Sequence, residues 1–136
     1  MRSRVPNALV ISPYPNDHEF LQGLFLKNGW TLCGATSLES ARKLVQKAPV
    51  IVAEAGLAPG TWKDVLALAV ALPNPPLVIV ISLHADEYLW VEALNLGARD
   101  VMAKPLGALE VTRVLTAAWS KCEQPAVKGK GNGASD

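Results

Sequence analysis

Short apolar runs recur along this chain between longer stretches of helical periodicity, and that alternation leaves few folds open. The runs at 8–11, 50–53 and 77–81 are built almost wholly from Val, Ile, Leu and Ala, and less apolar ones lie at 31–34 and 100–103. Between the first two, Phe20, Leu21, Leu24 and Phe25 repeat at three- and four-residue spacing, which gives a helix one apolar face. Strands that alternate with helices read as βα units on a parallel sheet. Runs with no polar interruption fit central strands covered on both faces. Five such units predict a doubly wound (βα)5 α/β sheet of order 2-1-3-4-5.

The punctuation sets the expected helices. Asn16 and Glu19 are spaced as a capping box for a helix over 17–28, and Asn28-Gly29 is its stop. Thr36 and Glu39 open a second helix, expected to reach about Lys47 and to bury Leu38, Ala41, Leu44 and Val45. A third is expected over 62–72, before the break Pro73-Asn74-Pro75-Pro76. A fourth over 86–96 ends at Gly97, and a fifth covers 108–121. One domain over 1–121 is therefore expected, with a disordered tail over 122–136 where Lys128-Gly129-Lys130-Gly131 leave little to bury.

Composition removes several function classes. With 50% hydrophobic and 18% charged residues the 136-residue chain can bury a core, and a net charge of +1 favours neither nucleic acid nor anionic membrane. No stretch approaches the ~20 apolar residues of a membrane span. The tryptophans at 30, 62, 90 and 119 fall on four separate elements, so they make no base-stacking platform. Cys33 and Cys122 lack the spacing of a zinc site or a disulfide framework and read as unlinked thiols in a reducing cytoplasm. His18 and His84 read as solvated residues of a helix start and a loop.

The chemistry is expected at the strand ends. The third run stops at Glu54, the fourth at Ser82, and the fifth at Lys104 followed by Pro105. Parallel strands would gather a carboxylate, a hydroxyl and an ammonium on the sheet edge where open α/β folds place ligands. The first run stops instead at Ser12-Pro13, with no acid.

From about Ala8 to Ser120 the chain resembles the receiver domain of bacterial two-component response regulators. The stretch Ala93-Leu94-Asn95-Leu96-Gly97-Ala98-Arg99-Asp100-Val101-Met102-Ala103-Lys104-Pro105 matches the family's Ala-Leu-x-x-Gly-Ala-x-Asp-φ-φ-x-Lys-Pro segment without a gap, φ being apolar. Leu57-Ala58-Pro59-Gly60 resembles the turn after the family's phosphorylated aspartate. The resemblance implies a flavodoxin-like receiver fold. It makes Ser82 the switch hydroxyl, Lys104 the phosphate-pairing lysine and Pro105 the partner in a cis peptide. Glu54 takes the phosphoacceptor position, since the apolar run ends there. A stricter match to Pro59-Gly60 puts Ala55 in that slot.

The departures from the family shape the expected function. Ser12 and Pro13 replace the acidic pair that holds Mg²⁺, a hard cation that wants carboxylate oxygens. Asp17 is the nearest acid, and it is expected to face solvent. Val101 stands where most receivers carry a switch aromatic. The leading expectation is a non-enzymatic, cytoplasmic pseudo-receiver without a Mg²⁺ cofactor, in which Glu54 reaches toward Ser82 and Lys104. It would act through protein contacts with a histidine kinase or an output protein. A weak homodimer is expected through helix four, strand five and helix five, which carry Tyr88, Trp90 and Trp119. Alternatives are a slowly phosphorylated receiver, a plain ion pair with no signalling role, and a small-ligand binder at the same edge.

Overall fold

A computed structural model describes residues 5–123, so the tail expected over 122–136 lies, from residue 124 onward, outside the described residues. The elements run β1 (Asn7–Ile11), α1 (Pro15–Asn28), β2 (Thr31–Ala35), α2 (Leu38–Ala41), β3 (Val50–Glu54), α3 (Trp62–Val70), β4 (Leu77–Ser82), α4 (Glu87–Leu96), β5 (Asp100–Ala103) and α5 (Ala108–Glu123). The five strands form one parallel sheet in the order β2-β1-β3-β4-β5, as the alternation of runs predicts. Among the described residues no helix is long and apolar enough to cross a membrane.

The two-residue period of the strands divides the core in two. Leu9, Ile51, Ala53, Val78, Val80 and Val101 point to the face covered by α2, α3 and α4. Val10, Val50, Val52, Ile79, Ile81 and Met102 point to the opposite face, against α1 and α5. Burying a Val, Leu or Ile side chain stabilises by about 1.5–3 kcal/mol. A one-residue slip of any central strand would exchange its two faces, so the register is tightly held. It pairs Ile11 with Ala53, Glu54 with Ile81 and Ser82 with Ala103, which brings the strand ends level on one edge.

Several local expectations are corrected. The box of Asn16 and Glu19 does not form: α1 begins at Pro15 behind Tyr14, because proline at the first helical position has its φ preset and no N–H to satisfy. Gly29 closes the helix at φ 71°, as the Asn-Gly stop implies. The second helix is far shorter than expected. Ser37, not Thr36, caps it in a reciprocal box with Ser40, and it ends at Ala41. The chain then winds more tightly, with Leu44 N–H donating to Ala41 O and Lys47 N–H to Leu44 O, into a 3₁₀ turn at Val45–Lys47. Leu38, Ala41 and Leu44 are three residues apart, so i to i+3 winding still keeps them against the core.

Two later features refine the reading. Gly56–Leu57 and Gly60–Thr61 pair as a small antiparallel hairpin that the apolar runs did not announce. Trp119 is buried, 6% exposed, and packs edge-on to Phe25 and Trp30 while its indole N–H donates to Asn7 O at 2.8 Å. It is therefore a core strut on the α1 side, not part of an outward face with Tyr88 and Trp90.

Candidate functional site

Four segments meet at the C-terminal edge of the sheet. β1 passes into Ser12, β3 ends at Glu54, β4 ends at Ser82, and β5 hands over to Lys104. Backbone bonds level these ends: Ser12 N–H donates to Ala35 O, Ala55 N–H to Ile81 O, and Lys104 N–H to Ser82 O. The Lys104–Pro105 peptide is cis.

Lys104 is the centre of the site. Its ammonium lies 2.5 Å from Glu54 Oε1 and 2.9 Å from Asp17 Oδ2, and its side chain is only 10% exposed. The Glu54 contact is the closer of the two, a buried ion pair. Glu54 Oε2 accepts the Gly56 N–H at 2.9 Å, which fixes the carboxylate at the mouth of the hairpin. Ala55, the other contender for this slot, is half-buried against the α2–α4 core. The Tyr14 ring covers Lys104 from the solvent side, its centroid 4.6 Å from Nζ.

Asp17 is the residue that sequence reasoning misplaced. The sequence pattern places it toward solvent, yet its side chain is 6% exposed and belongs to the site. The reason is the early start of α1. Beginning at Pro15 makes Asp17 the third helical residue, where a side chain leans back over the N-terminus. There Oδ2 accepts the Ser12 hydroxyl at 2.6 Å as well as the Lys104 ammonium. Ser12 is fully buried and takes the Tyr14 N–H on the same hydroxyl at 3.0 Å, while His18 Nε2–H donates to Ser12 O at 2.8 Å. The signal was present as Pro15-Asn16-Asp17: proline at the first helical position puts the acid in the inward-leaning turn.

Ser82 stands at the expected edge but is not joined to the charged cluster. Its hydroxyl accepts the His84 N–H at 3.0 Å and so closes the β4–α4 loop. Glu54 thus reaches Lys104 and not Ser82. Val101 is buried under α4.

The neighbouring charges set the direction of the Lys104 shift. Burial alone would pull the Lys104 ammonium down. The carboxylates of Glu54 and then Asp17 more than reverse this, and its pKa stands above the ordinary 10.5. Two carboxylates on one ammonium leave the site with a formal charge of −1 when all three are ionised.

No protein-family model matches the chain, and no curated protein matches it in sequence. Its fold, however, is that of solved receiver domains. The signal receiver domain of a putative LuxO repressor protein from Vibrio parahaemolyticus superposes with a TM-score of 0.81 at 17% identity, over 88% of this chain and 94% of that one. A CheY-like response regulator receiver domain protein from Methanospirillum hungatei gives 0.79 at 14% identity, over 88% and 98%. The beryllofluoride-activated NtrC4 receiver domain, solved as a dimer, gives 0.78 at 21% identity, over 86% and 98%.

Proposed function

We propose that this chain is a receiver-like domain of two-component signalling that acts as a pseudo-receiver, passing its signal through protein contacts without Mg²⁺-dependent phosphorylation. The observation that carries the reading is the shared ammonium: Lys104 engages both Glu54 and Asp17 inside a nearly closed site. In a phosphorylated receiver the lysine pairs with a charge that comes and goes. Here two built-in carboxylates supply that charge permanently, with Glu54 as the nearer stand-in for an acyl phosphate.

The residues present do not fit Mg²⁺. That ion asks for near-octahedral oxygen ligands at about 2.0–2.1 Å. Asp17 Oδ2 already carries a hydroxyl proton and an ammonium, Glu54 has one oxygen on an amide N–H and the other on Lys104, and Ser12 turns its hydroxyl hydrogen toward Asp17. Phosphoryl transfer also needs a cation to neutralise developing charge. The domain is proposed to be a cytoplasmic, non-enzymatic module whose partners are a histidine kinase or an output protein. With acetyl phosphate or beryllofluoride plus millimolar Mg²⁺, no mass gain and no amide shift at Ser12, Glu54 or Lys104 is expected. A stoichiometric adduct on Glu54, or a saturable one-site Mg²⁺ response in melting temperature, sinks this reading.

The outward face of α4 is the proposed contact surface. Tyr88 is 85% exposed, with Val91 and Leu94 half-exposed beyond it. Apolar groups clustered on one helix face favour association, and a symmetric dimer is its simplest form. Weak, concentration-dependent self-association is expected in sedimentation, reduced by Tyr88→Ala with Val91→Ala. A wild-type chain that stays monomeric to high concentration removes the homodimer and leaves contacts with other proteins.

A further inference from the structure

A cavity of about 440 Å³ opens beside Lys104, between the first turn of α1, the loop after β4 and the loop after β5. Its size falls within the range of small-molecule sites. The walls are largely apolar: the Tyr14 ring just before α1, Phe20 on α1, Leu83 after β4, and Pro105 and Leu106 after β5. Besides the Tyr14 hydroxyl, the polar groups on its lining are Asn16, Asp17 and Lys104.

What those groups have left to offer decides the ligand. An ammonium has three N–H donors, and Lys104 already has three neighbours, namely Glu54 Oε1, Asp17 Oδ2 and the Tyr14 ring. These three groups crowd the ammonium, and the surrounding formal charge of −1 repels an anion. Asp17 differs. Both of its contacts fall on Oδ2, so among the described residues Oδ1 accepts no hydrogen bond. The cavity therefore offers a carboxylate oxygen, the Asn16 side-chain amide and two aromatic rings.

We propose that this cavity binds a small primary amine carried on a compact apolar or aromatic body. The ammonium would lie on Asp17 Oδ1, neutralising the residual negative charge, with the body against Phe20, Leu83 and Leu106. Aromatic walls suit such a ligand twice, since a ring face attracts a cation as well as an apolar group. The site goes beyond the signalling role and does not depend on it, because none of its contacts requires phosphorylation or a partner protein.

The test uses the full chain and two nearly isosteric probes of opposite charge, phenethylamine and 3-phenylpropanoate, in amide NMR titrations. Saturable shifts at Asp17, Phe20, Leu83 and Leu106 are expected with the amine and none with the acid. Asp17→Asn keeps the shape and removes the charge, and should weaken the amine roughly tenfold. Asn16→Asp, on the exposed rim, should tighten it several-fold and decides the matter if Asp17→Asn does not fold. Equal or tighter binding of the acid, or amine shifts that stay linear to the solubility limit, overturns the proposal. So does an amine affinity unchanged by the variants that fold.

Discussion

Replacing Lys104 with methionine is expected to destabilise the domain by about 3–5 kcal/mol, the cost of leaving buried charge uncompensated. Methionine keeps the length and apolar stem of the side chain but removes the one cation that, among the described residues, touches Glu54 and Asp17. Two nearly buried carboxylates would then face one another. Glu54→Gln should cost less, because Lys104 keeps Asp17 and the amide can still accept the Gly56 N–H. Adding Glu54→Gln to Lys104→Met should recover part of the loss, since one of the stranded charges disappears. Urea denaturation of the four proteins in the cycle measures the coupling. A Lys104→Met cost below about 1 kcal/mol is the behaviour of an exposed pair and would falsify the shared-ammonium site. The pH dependence gives a second reading. The raised Lys104 pKa means that its stabilisation is complete below the unfolded value of 10.5 and is lost as pH climbs through the higher folded value. Wild-type stability should fall in that alkaline window, and Lys104→Met should lack this component of the fall.

Ser12→Asp, which restores an acid at the end of β1, should be damaging and not corrective. Ser12 is fully buried and donates its hydroxyl hydrogen to Asp17 Oδ2. A carboxylate there donates nothing and brings a third negative charge to a site that holds one ammonium. A loss of about 3–5 kcal/mol at neutral pH is expected, the scale of an uncompensated buried charge. Burial and like charge should raise the new carboxyl's folded pKa above its unfolded value, so the penalty applies above the unfolded value and fades as pH falls. Ser12→Ala should cost less, about 1–3 kcal/mol for a buried bond left unmade. Denaturation at neutral and mildly acidic pH separates the two. If Ser12→Asp matches the wild type at neutral pH, Asp17 swings out to solvent with little resistance, and the buried cluster is not a fixed feature.

The sheet was legible because its signal is dense. Each central strand is an unbroken run of apolar residues, and each ends at a polar residue that the register then levels with its neighbours. Glu54 and Lys104 could be paired for that reason. Asp17 could not, because its place depends on where α1 begins. Proline at 15 overrode the better-looking capping pair of Asn16 and Glu19, and two residues of shift turned the acid inward. The shortened α2 was hidden for a related reason: Leu38, Ala41 and Leu44 suit a three-residue winding as well as a helical one. Ser82 stands in sequence where a switch hydroxyl would, while its nearest demand is local, the His84 N–H of its own turn. Trp119 on α5 could not be assigned a face from spacing alone, and the depth of the Phe25–Trp30 contact decided it.

Those indoles have a spectroscopic consequence. Trp30 and Trp119 stand 4.9 Å apart at 69°, near enough and skewed enough for their electronic transitions to couple. The pair sits with Phe25 in the core between α1, α5 and the sheet, and none of the three touches the charged cluster. The folded domain should show an exciton couplet in the far-ultraviolet circular dichroism that vanishes on unfolding and in Trp119→Phe. Trp62, whose backbone N–H donates to Ala55 O beside Glu54, lies outside that pair and close to the acidic edge. The coupled pair is thus an absorptive probe of the core, set apart from Trp62 near the strand ends and Trp90 on α4.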